Sequence, residues 1–577
     1  METLLQFAQQ PNSYFLHLEY DKTFQMQASG SPRPAAKFQL RNPKQCQKRH
    51  GNPLPPSVLH KSFSSLFDFP SNHSCRIFDE PFNIRELESI IKSLKIRSSP
   101  GLDKIDYNLI SSLPDFFWPI LLNIFNDLLS KGAFPHSWHH SLVFLIPKNT
   151  PGTFPPISLT SCCLKLIEKL ILSRLDWWIK KNRLLPKCQS GFRKNKSCHD
   201  NISMLSTEIY NGFVSRQSTA CVFLDIAGAF DNVIPNILID DPIEMGLSPK
   251  ICLFIYNLIH FRELQFVING ELTEPRFLHK RVPQGSILSP ILFNIYVAKC
   301  MKCTSKECEI IQFADDIAIF ARSTRIDLSL RALETFTYKL ASFLKFRGLD
   351  ISPHKSALVV FSRKRIDPFS FCINLCGVSI KSSSHHKFLG ITLDYKINRH
   401  KFIESLKRKC VKLTNIIRSL RGIWWGASPC LLINIYKSLV RSSMEYGCFI
   451  LPTNSHKYMY KFEKIQNRAL KFCIGLRQSS PSNVVLAETC TSSLKNRFLL
   501  FASNYILKAF AVEDNPIIDK PYDLQINLIK NSRFNISKIF LLYKAFIAYK
   551  KYKSKIAFFP GPPSIISLMN PKIFILA

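Results

Sequence analysis

Two short apolar runs on either side of a pair of acidic residues constrain the fold of this chain more than any other feature. Residues 310–313 and 317–321 each have the composition of a β-strand, and only Ala314, Asp315 and Asp316 separate them. So short a connection between two strands requires a tight antiparallel turn. The pattern therefore predicts a β-hairpin with two neighbouring carboxylates at its tip.

The segment around this hairpin, residues 220–394, alternates between strand and helix patterns. Residues 221–226, 357–362 and 387–394 read as strands, whereas 290–298 and 328–346 have helical spacing. This order predicts an α+β fold in which helices cover one face of a sheet. Helical patterns also occur outside the segment, at residues 82–96, 120–129, 163–179 and 402–421.

Charge limits the partners of this chain. The 577 residues are 46% hydrophobic, so large cores can form, and the length suggests roughly three to four domains. The net charge of +36 favours a polyanionic partner, with nucleic acid as the first candidate and an anionic membrane surface as the second. The third interpretation is that the positive charge serves only to keep the protein soluble. However, far fewer charges suffice for solubility.

Targeting patterns are not evident in the sequence. The N-terminus has no basic stretch followed by an apolar core, so no signal peptide is expected, and no apolar run is long enough for a transmembrane helix. The 18 scattered cysteines fit reduced thiols rather than a disulfide framework. We therefore expect an intracellular protein, in the cytoplasm, the nucleus or both, without a membrane partner.

Three segments carry the residues on which chemistry would depend: 223–231 with Asp225, 282–286 with Pro-Gln-Gly, and 313–316 with Asp315 and Asp316. An Asp-Asp pair is most often an ordinary turn, and Pro-Gln-Gly is most often a loop. In this order and local setting, however, three carboxylates can meet at one edge of a sheet. Such an all-oxygen site suits Mg²⁺, and two ions there would serve an in-line phosphoryl transfer.

The chain resembles the reverse transcriptases of jockey-type non-LTR retrotransposons over residues 82–507. Residues 98–110, 134–148, 155–175 and 189–202 are similar to the family's motifs ahead of the catalytic sheet. The segments at 223–233, 282–296 and 313–316 are similar to motifs A, B and C, and those at 348–356 and 385–394 to motifs D and E. Residues 424–505 are similar to the thumb and the segment that follows it.

The resemblance implies a right-hand polymerase with a ferredoxin-like palm sheet and mainly helical fingers and thumb. It implies a basic extension at residues 1–80, fingers at 81–219, a palm at 220–398, a thumb with a following helical segment at 399–510, and a basic tail at 511–577. We expect the endonuclease and ribonuclease H modules of some relatives to be missing, because residues 1–81 are too few for the first and the C-terminal segment lacks carboxylates for the second.

Roles follow residue by residue from the resemblance. Asp225, Asp315 and Asp316 would hold two Mg²⁺ ions, for which Mn²⁺ could substitute. Phe230 would exclude a ribose 2′-hydroxyl, so that dNTPs are favoured. Gly285, which has no Cβ, would let the backbone approach the template–nucleotide pair closely.

The resemblance also assigns roles at five further positions. Gln284 would, together with Gly285, let the backbone approach the template–nucleotide pair. Lys355 would be a charge partner or proton donor near the leaving pyrophosphate, and Arg193 would help bind the triphosphate; both basic residues could also be ordinary surface groups. Pro155 stands where the family has an Arg that faces the nucleotide, and Lys148 would be its replacement. The loss of a planar, two-pronged donor predicts inefficient nucleotide use.

The implied function is RNA-directed DNA synthesis for a mobile element. The partners would be an RNA template, a DNA primer and dNTPs, and the reaction would transfer dNMP to a primer 3′-hydroxyl with release of pyrophosphate. The alternative is a degenerate relative that binds nucleic acid without catalysis. Intact carboxylates favour the enzyme, whereas Pro155 favours the alternative.

Overall fold

The computed structural model describes residues 76–552 except 96–97, 133–134, 147–155, 261, 269, 279–281, 284, 301–304, 306, 423–425, 452–455, 513–514, 532–533 and 535–538. Helices and strands alternate through most of this range, so the predicted α+β class is confirmed. In the described part of the chain, no helix is both long enough and apolar enough to cross a membrane.

The α-helices of the described residues, in chain order, are α1 Arg76–Asp79, α2 Ile84–Lys92, α3 Tyr107–Ser111, α4 Phe117–Lys131, α5 His136–His139, α6 Cys162–Lys181, α7 Cys198–Val214, α8 Pro235–Glu244, α9 Pro249–His260, α10 Ser289–Ala298, α11 Ile326–Phe346, α12 His400–Ser419, α13 Pro429–Ile435, α14 Ser442–Glu445, α15 His456–Cys473, α16 Ser482–Glu488, α17 Leu494–Phe510, α18 Lys520–Lys530 and α19 Leu541–Tyr552.

The strands are β1 His140–Leu145, β2 Pro156–Leu159, β3 Ser218–Ala227, β4 Arg262–Ile268, β5 Glu271–Leu272, β6 Arg276–Leu278, β7 Cys308–Phe313, β8 Asp316–Ser323, β9 Asp350–Ile351, β10 Ala357–Phe361, β11 Cys372–Leu375, β12 Val378–Lys381, β13 His385–Phe388 and β14 Ile391–Asp394.

The chain divides into two compact units that interleave along the sequence. Unit 1 comprises residues 1–186, 226–302 and 342–350. Its sheet has the order β2-β1-β4-β5, with β6 also paired to β4. Helix α6 runs through the interior of this unit, since most of its side chains are buried, and the Ser161 hydroxyl accepts a hydrogen bond from Cys163 N at its start.

Unit 2 comprises residues 187–225, 303–341 and 351–577. Its main sheet has the order β10-β3-β8-β7, all antiparallel, and β9 also pairs with β3. One continuous cluster of buried apolar side chains extends from α7 through this sheet to α19. The predicted hairpin at residues 310–321 is confirmed as β7 and β8, which places its turn at the edge of the main sheet.

Helix α12 confirms the helical pattern at residues 402–421. Its apolar residues, among them Phe402, Leu406 and Ile417, are buried. The opposite face carries exposed basic side chains. These are Arg408, Lys409, Lys412 and Arg418, which we call the α12 basic face.

Residues 387–394 fold differently from the single strand that their apolar content predicts. The segment reverses direction, and its residues belong to the two antiparallel strands β13 and β14. The turn between them contains Leu389 at φ +45° and Gly390 at φ +82°. Two consecutive left-handed residues form the tight turn that suits a hairpin. The Gly at the centre of the segment is therefore a turn residue.

Helical structure continues into the segment that the sequence assigned to a basic tail. Helices α18 and α19 lie there and bury apolar side chains, including Leu524 and Phe546. At the start of α18, Lys520 Nζ lies 3.0 Å from a Glu208 carboxylate oxygen and 2.8 Å from a Glu309 carboxylate oxygen. The C-terminal helices thus belong to the core of unit 2.

Candidate active site

The first candidate carboxylate lies near the end of a buried strand of unit 2. Strand β3 is buried from residue 218 to residue 224, and Asp225 is the first position that is partly exposed. In the antiparallel register of β3 and β8, Asp225 lies directly opposite Asp316. Directly opposed residues have Cβ atoms about 4.5–5.5 Å apart. The register therefore brings two carboxylates side by side at one edge of the sheet.

The third carboxylate lies in the turn of the β7–β8 hairpin. Phe313 pairs with Asp316, which leaves Ala314 and Asp315 as the two turn residues. Ala314 has φ +57°, the left-handed conformation that normally favours Gly at this place in a tight hairpin turn. An Ala there costs on the order of 1–2 kcal/mol, so surrounding contacts must hold the turn.

Those contacts come from a residue that the sequence analysis did not assign. Gln312 is fully buried, and its side-chain Nε2 donates a hydrogen bond to Ala314 O at 2.7 Å. Its backbone is fixed as well, because Gln312 N donates to Cys188 O and Ser190 N donates to Gln312 O. A Cβ on Gly191 would lie 2.3 Å from Ala314 N, so the turn packs directly on this glycine. In the sequence, the signal that could have identified Gln312 is its position as a single amide within the apolar run that precedes Asp315 and Asp316.

The carboxylates of this edge affect each other's ionisation. Partial burial and the nearby charges of Asp315 and Asp225 together raise the pKa of Asp316 to about 6, although part of its side chain reaches solvent. Burial is the largest of these causes. Relative to the unfolded state, folding therefore favours the protonated form of Asp316, and its ionisation at neutral pH costs stability.

Asp316→Asn should make the protein more stable than the wild type at pH 7.5 but not at pH 4. The folded state binds the Asp316 proton more tightly than the unfolded state, so wild-type stability falls as pH rises from about 4 to about 6. Solvent screening limits the gain at pH 7.5 to on the order of 1 kcal/mol. Urea unfolding in the presence of a chelator measures this gain in the free energy of unfolding. Asp327→Asn, at an exposed position, is the control. A gain that is equal at both pH values would contradict the assignment.

Lys355 lies beside the same pair of carboxylates. Strand β10 pairs with β3 so that Ala357 lies opposite Phe223, and Ser352 N donates to Asp225 O at 2.9 Å. These contacts place the turn before β10 against Asp225. The Lys355 Nζ atom lies 3.7 Å from Asp225 Oδ2, and its side chain is 72% exposed. It is therefore an exposed cation next to Asp225 rather than part of a strong structural ion pair, and its role near the pyrophosphate stays a prediction.

The donor set of this edge fits a hard divalent cation. It offers only carboxylate oxygens, and Mg²⁺ commonly takes one or two carboxylates together with waters and substrate phosphates. Within the described ranges, no group of three or more His, Cys, Asp or Glu side chains could hold a metal ion. The pair Asp225–Asp316 is thus the part of the expected ligand set that the geometry supports. The role of Asp315 as a ligand stays a prediction.

Phe230 belongs to unit 1, where its ring is fixed by neighbours. The ring stacks on Phe293 of α10 with centroids 4.7 Å apart and an interplanar angle of 27°. Val282 N donates to Phe230 O at 3.2 Å. The motif A segment and the motif B segment are therefore joined at Phe230, and the half-buried ring is held in one orientation.

Gly285, also in unit 1, is required by its surroundings. Its φ is +138°, and an added Cβ would lie 2.2 Å from the carbonyl oxygen of Ser158, which belongs to β2. Any side chain at this position would collide with that backbone atom. The contact with β2 therefore accounts for a glycine at this position, whereas its approach to the template–nucleotide pair stays a prediction.

The remaining residues with an expected role are Arg193, Lys148, Pro155 and Gln284. Arg193 lies in unit 2, and its Nη1 atom donates to Gln189 O at 3.1 Å. This bond holds the side chain against its own segment, and the nucleotide contact stays a prediction. Lys148, Pro155 and Gln284 lie outside the described residues.

Known proteins share this chain's central segment. Residues 146–393 match the family model described as "Reverse transcriptase (RNA-dependent DNA polymerase)". The probable RNA-directed DNA polymerase from transposon BS of Drosophila melanogaster is 27% identical over 68% of this chain and 44% of its own length. For the polymerase from mobile element jockey of the same organism, the identity is 25%, over 67% of this chain and 43% of the relative.

A third relative and one solved structure extend the comparison. The probable polymerase from transposon X-element of Drosophila melanogaster is 23% identical over 68% of this chain and 44% of its own length. A telomerase from Candida Tropicalis in complex with a telomeric RNA fragment aligns with 80% of this chain and 71% of its own, at 12% identity. Its TM-score of 0.37 is too low to support an argument about the fold.

The curated relatives are longer proteins, and this chain spans less than half of the length of each. The family model covers the three segments that carry the carboxylates and the Pro-Gln-Gly sequence. The chain is therefore similar to reverse transcriptases over residues 146–393, and it resembles at about 25% identity the polymerases of the BS, jockey and X-element retrotransposons.

Proposed function

We propose that this chain is an RNA-directed DNA polymerase of a non-LTR mobile element. The observation that carries the proposal is the register of β3 and β8, which pairs Asp225 with Asp316 inside the segment that is similar to reverse transcriptases. The net charge of +36 supports a nucleic-acid partner. The substrates would be an RNA template, a DNA primer and dNTPs.

The chemistry would be transfer of dNMP to the primer 3′-hydroxyl with release of pyrophosphate. Two Mg²⁺ ions, or Mn²⁺ in their place, would supply electrostatic stabilisation of the attacking and leaving oxygens. Asp225 and Asp316 would hold them, with Asp315 as the adjacent third carboxylate. Because the pKa of Asp316 is raised to about 6, its carboxylate must lose a proton before it can act as a ligand. Activity should therefore decline below about pH 6.

Lys355 would act at the side of the departing pyrophosphate. Its exposed ammonium lies 3.7 Å from Asp225 Oδ2 and can reach a phosphate oxygen near that carboxylate. There it would balance negative charge or donate a proton to the leaving group. Arg193, Gln284, Gly285 and, in place of the missing arginine, Lys148 would line the nucleotide and template side.

The same proposal gives the chain a right-hand architecture. The main sheet of unit 2 would be the centre of the palm at residues 220–398, after fingers at 81–219 and before a thumb with its following helices at 399–510. Residues 1–80 would precede them as a basic segment, whereas α18 and α19, within the segment 511–577, pack into the core of unit 2. The mixed α+β structure and the antiparallel sheet with carboxylates at one edge support this assignment.

Phe230→Ala should relax the choice between deoxyribonucleotides and ribonucleotides. The stacked ring of Phe230 is bulky and held in place, so its removal would make room for a 2′-hydroxyl. We expect the ratio of rNTP to dNTP incorporation to rise by about tenfold or more, a size typical of steric discrimination in a pocket. Phe369→Ala, which removes an exposed ring, is the control. An unchanged ratio would remove the gate assignment.

Primer extension tests the proposed function directly. The wild-type chain should extend oligo(dT) on poly(rA) when dTTP and Mg²⁺ or Mn²⁺ are present, and should fail without template or with a chelator. Asp315→Ala should abolish extension, whereas Asp327→Ala should not. Robust extension by Asp315→Ala would remove that carboxylate from the site. Failure of the wild type under all conditions would favour the alternative, a protein that binds nucleic acid without catalysis.

The α12 basic face is the observation that favours a binding role, whether or not the chain is catalytic. Its exposed side chains can neutralise phosphates, and such binding weakens steeply with salt. Duplex affinity should fall by several hundred-fold between about 50 and 200 mM salt if about five phosphates are contacted. A variant with Gln at residues 408, 409, 412 and 418 should show a shallower salt dependence. An equal slope for both proteins would place the contacts elsewhere.

A further inference from the structure

A glutamate is buried at the centre of unit 1. Glu168 lies in the middle of helix α6, and its side chain has no exposed surface. Burying a carboxylate in a protein interior is expensive unless hydrogen bonds compensate. The partners of Glu168 therefore indicate why an apolar residue does not occupy this position.

Three donors from one loop converge on a single oxygen of this carboxylate. Ser286 Oγ, Ile287 N and Leu288 N donate to Glu168 Oε2 at 2.8, 2.5 and 3.4 Å. The three residues follow Gly285 directly and precede helix α10. Glu168 thus satisfies backbone N–H groups just before a helix, where no intrahelical acceptor is available. It does so across at least 118 residues of sequence.

The loop that receives these bonds is fixed at other points too. Ser289 Oγ donates to Pro283 O at 2.7 Å, which closes the loop on itself. On the side of β2, Gly285 packs against the carbonyl oxygen of Ser158. Glu168 is the contact that ties the second half of the loop to helix α6. Without it, Ile287 N and the Ser286 hydroxyl would lose their acceptor, whereas Leu288 N also donates to Ser286 Oγ at 3.2 Å.

The other oxygen of the same carboxylate, Oε1, is buried, as is Thr160 Oγ1. Glu168 and Thr160 both line a small cavity of about 10 Å³. Among the described residues, neither atom has a hydrogen-bond partner. A space of this size holds about one water molecule, and a water there could bridge both atoms. Thr160 follows β2 directly, so such a bridge would connect the carboxylate to the strand on which Gly285 packs.

We propose that Glu168 is a positioning residue that holds residues 285–288 in place, with one buried water shared between its second oxygen and Thr160. The proposal rests on the proposed function, in which Gly285 and the preceding Gln284 contact the nucleotide and template. Glu168 acts through the loop and does not itself touch substrate.

The role requires an accepting oxygen rather than a negative charge. Burial, opposed by the bonds from Ser286, Ile287 and Leu288, raises the pKa of Glu168 to about 7. Glutamine has nearly the same shape and keeps a carbonyl oxygen that can accept the three bonds. Leucine has a similar volume but no acceptor. The pair Glu168→Gln and Glu168→Leu therefore separates loop positioning from the packing of α6.

Steady-state primer extension gives the first readout. Glu168→Leu should raise the KM for dTTP by about tenfold or more, because the loop loses a buried acceptor, whereas Glu168→Gln should stay within about threefold of the wild type. Affinity for primer–template should be unchanged in both. Glu463→Leu, which removes a half-buried carboxylate from α15 in unit 2, is the matched control. A lower active fraction would reduce kcat without raising KM, so general misfolding is distinguishable. An unchanged KM in a folded, active Glu168→Leu protein would overturn the proposal.

Hydrogen exchange gives a second readout that needs no activity. The amide of Ile287, whose hydrogen bond goes to Glu168, should exchange at least about tenfold faster in Glu168→Leu than in the wild type, and at a near wild-type rate in Glu168→Gln. Equal exchange in all three proteins would overturn the proposal. If the wild type extends no primer, the proposed function fails and the nucleotide role of the loop fails with it. The exchange rates then decide the anchoring of the loop separately.

Discussion

Asp225→Asn is expected to reduce kcat for primer extension by at least about a thousandfold. Asparagine keeps the shape of the side chain but removes the negative charge next to Asp316. If the carboxylate pair holds the catalytic cations, this loss removes transition-state stabilisation of about 4 kcal/mol or more. Steady-state extension on poly(rA)/oligo(dT) measures the effect.

Binding and stability distinguish this result from a collapsed structure. Asp225→Asn removes one negative charge from a strongly basic chain, so duplex affinity should stay the same or rise slightly. The free energy of unfolding should not fall, because the variant relieves repulsion with Asp316. Asp327→Asn is the matched control and should extend primers normally. A kcat for Asp225→Asn within about tenfold of the wild type would exclude this carboxylate from the catalytic machinery.

Gly285→Ala should be the most damaging of the single-methyl substitutions in unit 1. The new Cβ would lie 2.2 Å from the carbonyl oxygen of Ser158, and the φ of +138° is itself unfavourable for alanine. Because a backbone atom cannot move aside cheaply, we expect a cost of roughly 3 kcal/mol or more, as lower stability, a displaced loop or both. Thermal unfolding and the KM for dTTP measure these outcomes.

Gly270→Ala provides the comparison. Gly270 has φ +90°, but nothing lies within 4 Å of an added Cβ. Its substitution tests backbone strain alone and should cost about 1 kcal/mol. If the two variants had equal stability and equal KM, the contact between Gly285 and β2 would have no energetic importance.

The sequence predicted those parts of the fold that depend on local periodicity. Residues 310–321 have apolar runs of strand length on both sides of a two-residue turn, and this pattern determines a hairpin without distant contacts. Helix α12 was likewise predictable, since its apolar residues recur at helical spacing. The segment 387–394 was wrongly predicted as a single strand because apolar residues occur on both sides of Gly390. Only Gly390 marks the turn inside the segment.

The supporting residues of the candidate site were not predictable in this way. Glu168 lies in a helical pattern, where a glutamate normally faces solvent, and its three partners are more than a hundred residues away. Gln312 is an amide within a strand, and its bond to Ala314 depends on the turn geometry. Pairing between strands β3 and β8 also required the tertiary structure. Sequence motifs therefore identified the candidate reacting groups, whereas the groups that hold them became visible only in the fold.

The C-terminal helices have a consequence for any attempt to design a shorter version of this chain. A fragment that stops at residue 510 would lose Lys520, so Glu208, whose side chain is 5% exposed, would depend on Arg322 for charge compensation. It would also remove apolar side chains such as Leu524 and Phe546 from the core that contains α7 and the main sheet of unit 2. Motif boundaries would suggest that this cut is harmless, but the minimal folding unit extends through α19.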